Sequence, residues 1–186
     1  MNPCGDEIQE KRIPYPVILS DYNPEWPKIY SAEKELIAGE LGTGIIERIS
    51  HIGSTSIVGM AAKPTIDILL EVNDNFEKDE LIAKMAGLGY RYDSKPQNPA
   101  PHMMFKKGYR SSDLHGQTYH IHVRFKSDWD ELYFKEYISM HPEAAKEYIT
   151  LKRRLKEKYE LDRAAYTDGK TEFIMKVVKK ARKELE

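Results

Sequence analysis

A single cysteine, Cys4, stands in a polar N-terminal stretch of the chain. One thiol makes no intramolecular disulfide, no redox pair and no thiolate zinc cage. Long apolar runs are missing as well: no uncharged stretch approaches the roughly 18–20 residues that cross a membrane. The opening MNPCGDEIQEKR lacks the apolar segment of a secretory signal. Net charge is also small, with 29 Lys and Arg against 30 Asp and Glu. That balance excludes a protein that coats nucleic acid by charge alone. A cytoplasmic protein is expected, without a membrane or a non-specific nucleic-acid partner.

What the chain does contain is enough for a core. Of its 186 residues, 40% are hydrophobic and 12 are Tyr, too aromatic a composition for a disordered segment. The charge is uneven. Lys and Arg outnumber Asp and Glu over residues 151–186, and the first 150 residues are correspondingly acidic. Such an excess marks either a solvated helical face or a surface that meets phosphate.

Residues 1–13 read as a flexible leader, 14–127 as a core and 128–186 as a helical region packed on it, within one domain. Asn23-Pro24-Glu25 predicts a helix start with Asn23 as cap and Pro24 at the first helical position, and Trp26, Ile29, Tyr30, Leu36, Ile37 and Leu41 follow at helical spacing until Gly42 and Gly44. Ile45 to His51 predicts a strand. TIDILLEV (65–72) predicts another, with Ile66, Ile68, Leu70 and Val72 on one face and Asp67, Leu69 and Glu71 on the other. A helix of about ten residues with Leu81, Ile82, Met85 and Leu88 as its buried stripe comes next. SKPQNPAP (94–101) reads as loop, and 102–107 and 118–125 as strands. The second alternates cleanly: Tyr119, Ile121, Val123 and Phe125 on one face, His120, His122 and Arg124 on the other. Helical periodicity then runs to the end. The order implies an α/β arrangement of the α+β type, a mixed sheet flanked by helices with a helical C-terminal region.

The segment HIGSTSIVGMAAKPTID (51–67) carries the chemistry. A strand enters a turn of small residues, and a second strand presents an acid. Gly53, Ser54, Thr55 and Ser56 let backbone amides and hydroxyls approach a phosphate closely. Asp67 lies where a carboxylate would hold a divalent metal bridging the same phosphates. A Gly-Ser turn followed by strand carboxylates is the arrangement of nucleotidyltransferases of the polymerase-beta type. The bland alternative is an ordinary turn. Two look-alikes fall away: Gly169-Lys170-Thr171 has Ala164 where a phosphate-binding loop needs glycine, and Gly42-Thr43-Gly44 lacks the strand and third glycine of a dinucleotide fingerprint.

The chain resembles the GrpB family, a group assigned by similarity to the nucleotidyltransferase superfamily. The matching residues are His51-Ile-Gly-Ser-Thr-Ser56, Gly59, Ala62-Lys63-Pro64 and Ile66-Asp67, then Leu88-Gly-Tyr90 and the His120-Ile-His122-Val123 strand. His141-Pro142-Glu143, Tyr148 to Lys152, and Tyr166 with Lys170 complete the match. The resemblance implies a nucleotidyltransferase-type mixed sheet and a nucleoside triphosphate as partner, with the acceptor unidentified. It also places Lys152 and Lys170 on the C-terminal helices, where they could face the cleft.

Two-metal transfer wants carboxylates at i and i+2 on one strand face, about 7 Å apart. Asp67 fills the first position and Leu69 the second. Glu71 shares the face but lies about 13 Å from Asp67 on a regular strand. The neighbouring strand offers His120 and His122 instead of a third acid. Converging with Asp67, they would make a two-histidine, one-carboxylate set, which suits Mn, Fe or Zn better than Mg; otherwise they hydrogen-bond to neighbours. Lys63 neutralises a phosphate or caps a short helix, and Arg124 clamps a phosphate or makes a structural ion pair. The expected function is metal-dependent nucleotidyl transfer, with Mg or Mn as metal, or Zn or Fe if the histidines ligate. Asp67, His120 and His122 would be the catalytic and metal residues, with Gly53, Ser54, Thr55, Ser56, Lys63, Arg124, Lys152 and Lys170 on the nucleotide. A catalytically silent nucleotide-binding module and a His-His-Asp metal hydrolase are the alternatives.

Overall fold

The computed structural model describes residues 16–109 and 117–185. Cys4 and the expected leader lie outside the described residues. Helix α1 (Trp26–Leu41) opens with Pro in its first turn, and Gly42, at φ 73°, ends it by returning its N–H to Ala38 O. The helix starts later than expected, with Glu25 as its N-cap and Pro27 in its first turn. Asn23, two residues before the cap, accepts the Glu25 N–H on its Oδ1 at 2.9 Å and fixes the turn that feeds the helix.

Strand β1 (Ile46–Ile52) follows, then a single 3-10 turn over Ser54–Ser56, then β2 (Thr65–Val72) and helix α2 (Lys78–Gly87). Strands β3 (Arg91–Ser94), β4 (Met103–Lys107) and β5 (Thr118–Phe125) complete a sheet of order β1-β2-β5-β4-β3. The pair β2 and β5 is parallel, and the other three neighbouring pairs are antiparallel. The sheet is therefore mixed, as the element order implied. β3 was not foreseen. Its four residues, Arg91-Tyr-Asp-Ser, carry little apolar periodicity, and it pairs with β4 alone as an edge.

One sheet face packs on α1 and α2. Ile66, Ile68, Leu70 and Val72 of β2 join Ile121 and Val123 of β5 there, with Trp26, Ile37, Leu81 and Met85 from the helices. Cutting one of these branched side chains to Ala costs about 2–5 kcal/mol. Helices α3 (Asp130–Met140), α4 (Pro142–Lys158), α5 (Arg163–Asp168) and α6 (Thr171–Leu185) make up the C-terminal part. A second apolar cluster joins Phe134, Tyr137, Tyr148, Val177 and Ala181 of these helices to Ile57 and Met60 from the segment after the turn. Both faces of β2 are covered, which is why Leu69 is fully buried although it points away from the first core. Among the described residues no helix is long and apolar enough to cross a membrane.

Candidate functional site

Between the second sheet face and the C-terminal helices lies a cleft of about 790 Å³, a size suited to a nucleotide-sized molecule. Its floor comes from Thr65 and Asp67 of β2 and His120, His122 and Arg124 of β5, on strands whose parallel register sets Asp67 opposite His120, Leu69 opposite His122 and Glu71 opposite Arg124. The 3-10 turn forms one wall, and α4, the α5–α6 junction and α6 form the other.

Glycine is required at the turn for two reasons. Gly53 has φ 70°, and a Cβ there would sit 2.6 Å from Asp67 Oδ2. The carboxylate can approach the turn only because that side chain is missing. The turn hydroxyls then divide by role. Ser56 Oγ donates to Gly53 O at 2.7 Å and closes the turn itself. Thr55 Oγ1 is buried, donates to Thr65 O at 3.0 Å and meets His51 Nε2 at 3.0 Å. Burial, and after it the charge of Lys135, lowers His51 to about 4, so the ring is neutral at physiological pH. Only Ser54, of the three hydroxyl-bearing turn residues, is left to serve the cleft with its side chain.

Asp67 Oδ1 lies 3.2 Å from His120 Nδ1, and the His120 Nε2 meets the Tyr109 hydroxyl at 2.6 Å. Burial alone would raise the Asp67 carboxyl. The His120 hydrogen bond and the charges of His120, His122 and Lys63 outweigh it and hold the group below the usual carboxylate range. His122 is driven down by burial, and its Nδ1 is buried without a hydrogen-bond partner.

Cations gather across from the turn. Lys152 of α4 is 2% exposed, and its Nζ lies 3.2 Å from Ser54 Oγ and donates to Ala61 O. Burial, then the nearby Lys170, lowers it to about 7. Lys170 is lowered to about 8, chiefly by burial and then by Lys63. Burial likewise lowers Lys63, helped by Arg163. Lys63 and Lys170 approach the Tyr166 ring at 5.4 and 4.9 Å from its centroid. Among the described residues none of the three has a carboxylate within ion-pair distance.

At the other end Arg124 is clamped by Glu131 through two bonds of 3.0 and 2.7 Å and lies 4.5 Å from the Trp129 ring centroid. Of the two readings of Arg124, the ion pair is the one the side chain adopts. Arg182 of α6 closes this end on Asp128 and Asp130. Trp129, Glu131 and Arg182 were not anticipated as cleft residues. They come from the helical half, where the 3.6-residue period identified a buried stripe but not what it faced.

The donor set does not fit the metal arrangements expected from the fold. Leu69 fills the second carboxylate position. Glu71, the remaining acid on that face, is wholly buried and bound to Arg48 and to the Ser127 N–H. His120 spends both ring nitrogens on Asp67 and Tyr109. Among the described residues no group of three His, Cys, Asp or Glu side chains is placed to hold a metal ion.

A mixed five-stranded sheet, a small-residue turn over a strand carboxylate and a lysine-lined wall define an α+β protein with a cleft between its sheet and its C-terminal helices. The chain belongs to the GrpB family, whose profile, described as GrpB protein, matches residues 16–180. It is 37% identical over 163 residues to UPF0157 protein PA4798 of Pseudomonas aeruginosa, covering 86% of this chain and 65% of that protein. Glutamate-rich protein GrpB of Alkalihalophilus pseudofirmus is 30% identical over 168 residues, 87% of this chain and 94% of that one. The crystal structure of the conserved protein GrpB from Enterococcus faecalis superposes with a TM-score of 0.79 at 29% identity, over 91% of this chain and all of that one.

Proposed function

We propose that the cleft binds a nucleoside triphosphate and that the protein transfers its nucleotidyl group to an acceptor, with lysines taking the charge-neutralising role that two-metal transferases give to carboxylate-bound ions. The observation that carries this reading is a cluster of three lysines, the buried Lys152 and the half-buried Lys63 and Lys170, that line the cleft with the Gly53–Ser56 turn and, among the described residues, have no carboxylate within ion-pair distance. Withdrawing unpaired cations from water is costly, and a cleft that gathers three favours an anion. Lys63 and Lys170 flank the phosphates, and Lys152 stands behind Ser54. Asp67 orients His120, whose imidazole is within reach of an acceptor proton once Tyr109 gives up Nε2. The resemblance of the GrpB family to the nucleotidyltransferase superfamily is compatible with the same class of ligand. No step is routed through a metal, because Leu69 fills the second carboxylate position and Glu71 is bound to Arg48.

A second reading rests on Leu69 and Glu71. One strand position has lost its acid and the other acid is locked to Arg48, which favours a module that binds nucleotide without turning it over. The two separate in one experiment. ATP, GTP, CTP and UTP are supplied with Mg²⁺, with Mn²⁺ and with chelator, and a deproteinised cell extract provides acceptors. Pyrophosphate release is measured beside equilibrium dialysis of the same nucleotides. Transfer predicts release that Lys170→Met abolishes. Retention without release identifies the silent module, and neither retention nor release contradicts both.

A further inference from the structure

Lys152 is a buried amine with two polar contacts, one of which is a hydroxyl that lines the cleft. Its Nζ donates to Ala61 O and lies 3.2 Å from Ser54 Oγ. The rest of the side chain runs along Tyr148, with Nζ 4.5 Å from the ring centroid. Ser54 is partly exposed and Lys152 is 2% exposed; both line the cleft, with the amine set against the hydroxyl. Thr55 and Ser56 spend their hydroxyls inside the turn, and Ser54 alone has an amine behind it. A lysine that served only to attract phosphate would gain by standing in front of the serine.

The geometry points to Ser54 as a nucleophile toward a phosphorus centre, with Lys152 as its general base. The inference rests on the nucleotide reading above only for the identity of the electrophile. Ser54 Oγ forms a bond to the α-phosphorus, the bond from that phosphorus to the bridging oxygen breaks, and pyrophosphate leaves with the electron pair. The Ser54 proton passes to Lys152 Nζ. A hydroxyl-bearing acceptor or water then attacks the phosphorus, giving its proton to His120 Nε2, and Ser54 Oγ leaves, taking the proton back from Lys152. Lys63 and Lys170 stand where the leaving group's charge develops.

The amine is suited to this task. Burial and Lys170 bring it to about 7, so a neutral fraction with a free lone pair exists at physiological pH. The titratable groups that share its cleft are Lys170 at the α5–α6 junction, Lys63 before β2, Asp67 on β2, His120 and His122 on β5, Tyr148 and Tyr166 from α4 and α5, and, at the other end, Arg124, Asp128, Asp130, Glu131 and Arg182.

The test uses a fluorophosphonate, in which a phosphorus–fluorine bond breaks as the serine–phosphorus bond forms. Intact mass and peptide mapping should place one adduct on Ser54, absent in Ser54→Ala, with a labelling rate that rises through about pH 7. Lys152→Met, which removes the amine without leaving a buried charge, should slow labelling about a hundredfold while its circular dichroism matches wild type. Labelling of Ser54 no faster than in the unfolded chain, or unchanged in Lys152→Met, overturns the inference. Dialysis of ATP on the same preparations keeps the two readings apart. ATP bound with Ser54 inert removes the nucleophile and keeps the nucleotide site. Ser54 labelled with no ATP bound does the reverse.

Discussion

Asp67 and His120 sit directly opposite each other in the parallel strand pair, with Oδ1 3.2 Å from Nδ1. The carboxylate fixes the ring through Nδ1, and the Tyr109 hydroxyl meets the other ring nitrogen, Nε2, at 2.6 Å. Because the folded protein holds the Asp67 carboxyl below its ordinary value, this group stabilises the fold above the unfolded carboxylate pKa, and the contribution is lost as pH falls through the lower folded one. Asp67→Asn is therefore expected to lower stability at pH 7 by about 1–2 kcal/mol. The gap to wild type should close under acid, as followed by urea unfolding at several pH values.

Gly53→Ala places a methyl at φ 70° and within 2.6 Å of Asp67 Oδ2. Backbone strain and the displaced carboxylate should together cost about 1–3 kcal/mol. Thermal unfolding reads the loss, and an altered His120 imidazole resonance shows that the carboxylate has moved.

Lys152 predicts a pH dependence of the opposite sense. Its value falls from 10.5 to about 7 on folding, so its charge opposes the fold below about pH 7 and that opposition is relieved as pH rises toward 10.5. Wild-type stability, relative to Lys152→Met, should climb between pH 7 and pH 10. Denaturant unfolding of the pair across that range gives the slope directly.

Glu71 behaves as a structural anion rather than a metal ligand. Arg48 and the Ser127 N–H satisfy it in a wholly buried position. Arg48→Met should cost about 3 kcal/mol by stranding that charge, while nucleotide affinity at the distant Ser54 turn stays unchanged in dialysis.

Much of this fold could be read from the residues. β2 announced itself because eight residues alternate without interruption, and the histidine face of β5 was fixed by the same period. Strand periodicity puts Asp67 on one face of β2 and His120 with His122 on one face of β5, but only the register shows Asp67 opposite His120 and Leu69 opposite His122. Periodicity does not encode how a turn spends its hydroxyls, so Thr55 and Ser56 looked equivalent to Ser54 until their acceptors were visible. Nor does it show partners from distant segments. The Arg48–Glu71 pair, the Arg182 clamp on Asp128 and Asp130, and the approach of Lys152 to Ser54 all join residues far apart in the chain.

The central claim is that lysines hold phosphate in this cleft. Calorimetric titration of ATP, GTP, CTP and UTP into wild type in the presence of chelator tests it most directly, beside a Lys63→Met/Lys170→Met double variant. Saturable binding of at least one nucleotide without metal is predicted, weakened tenfold or more in the double variant and weaker at pH 9 than at pH 7 as Lys170 loses its proton near pH 8. No binding of any of the four to wild type, or equal binding by the double variant, would contradict it.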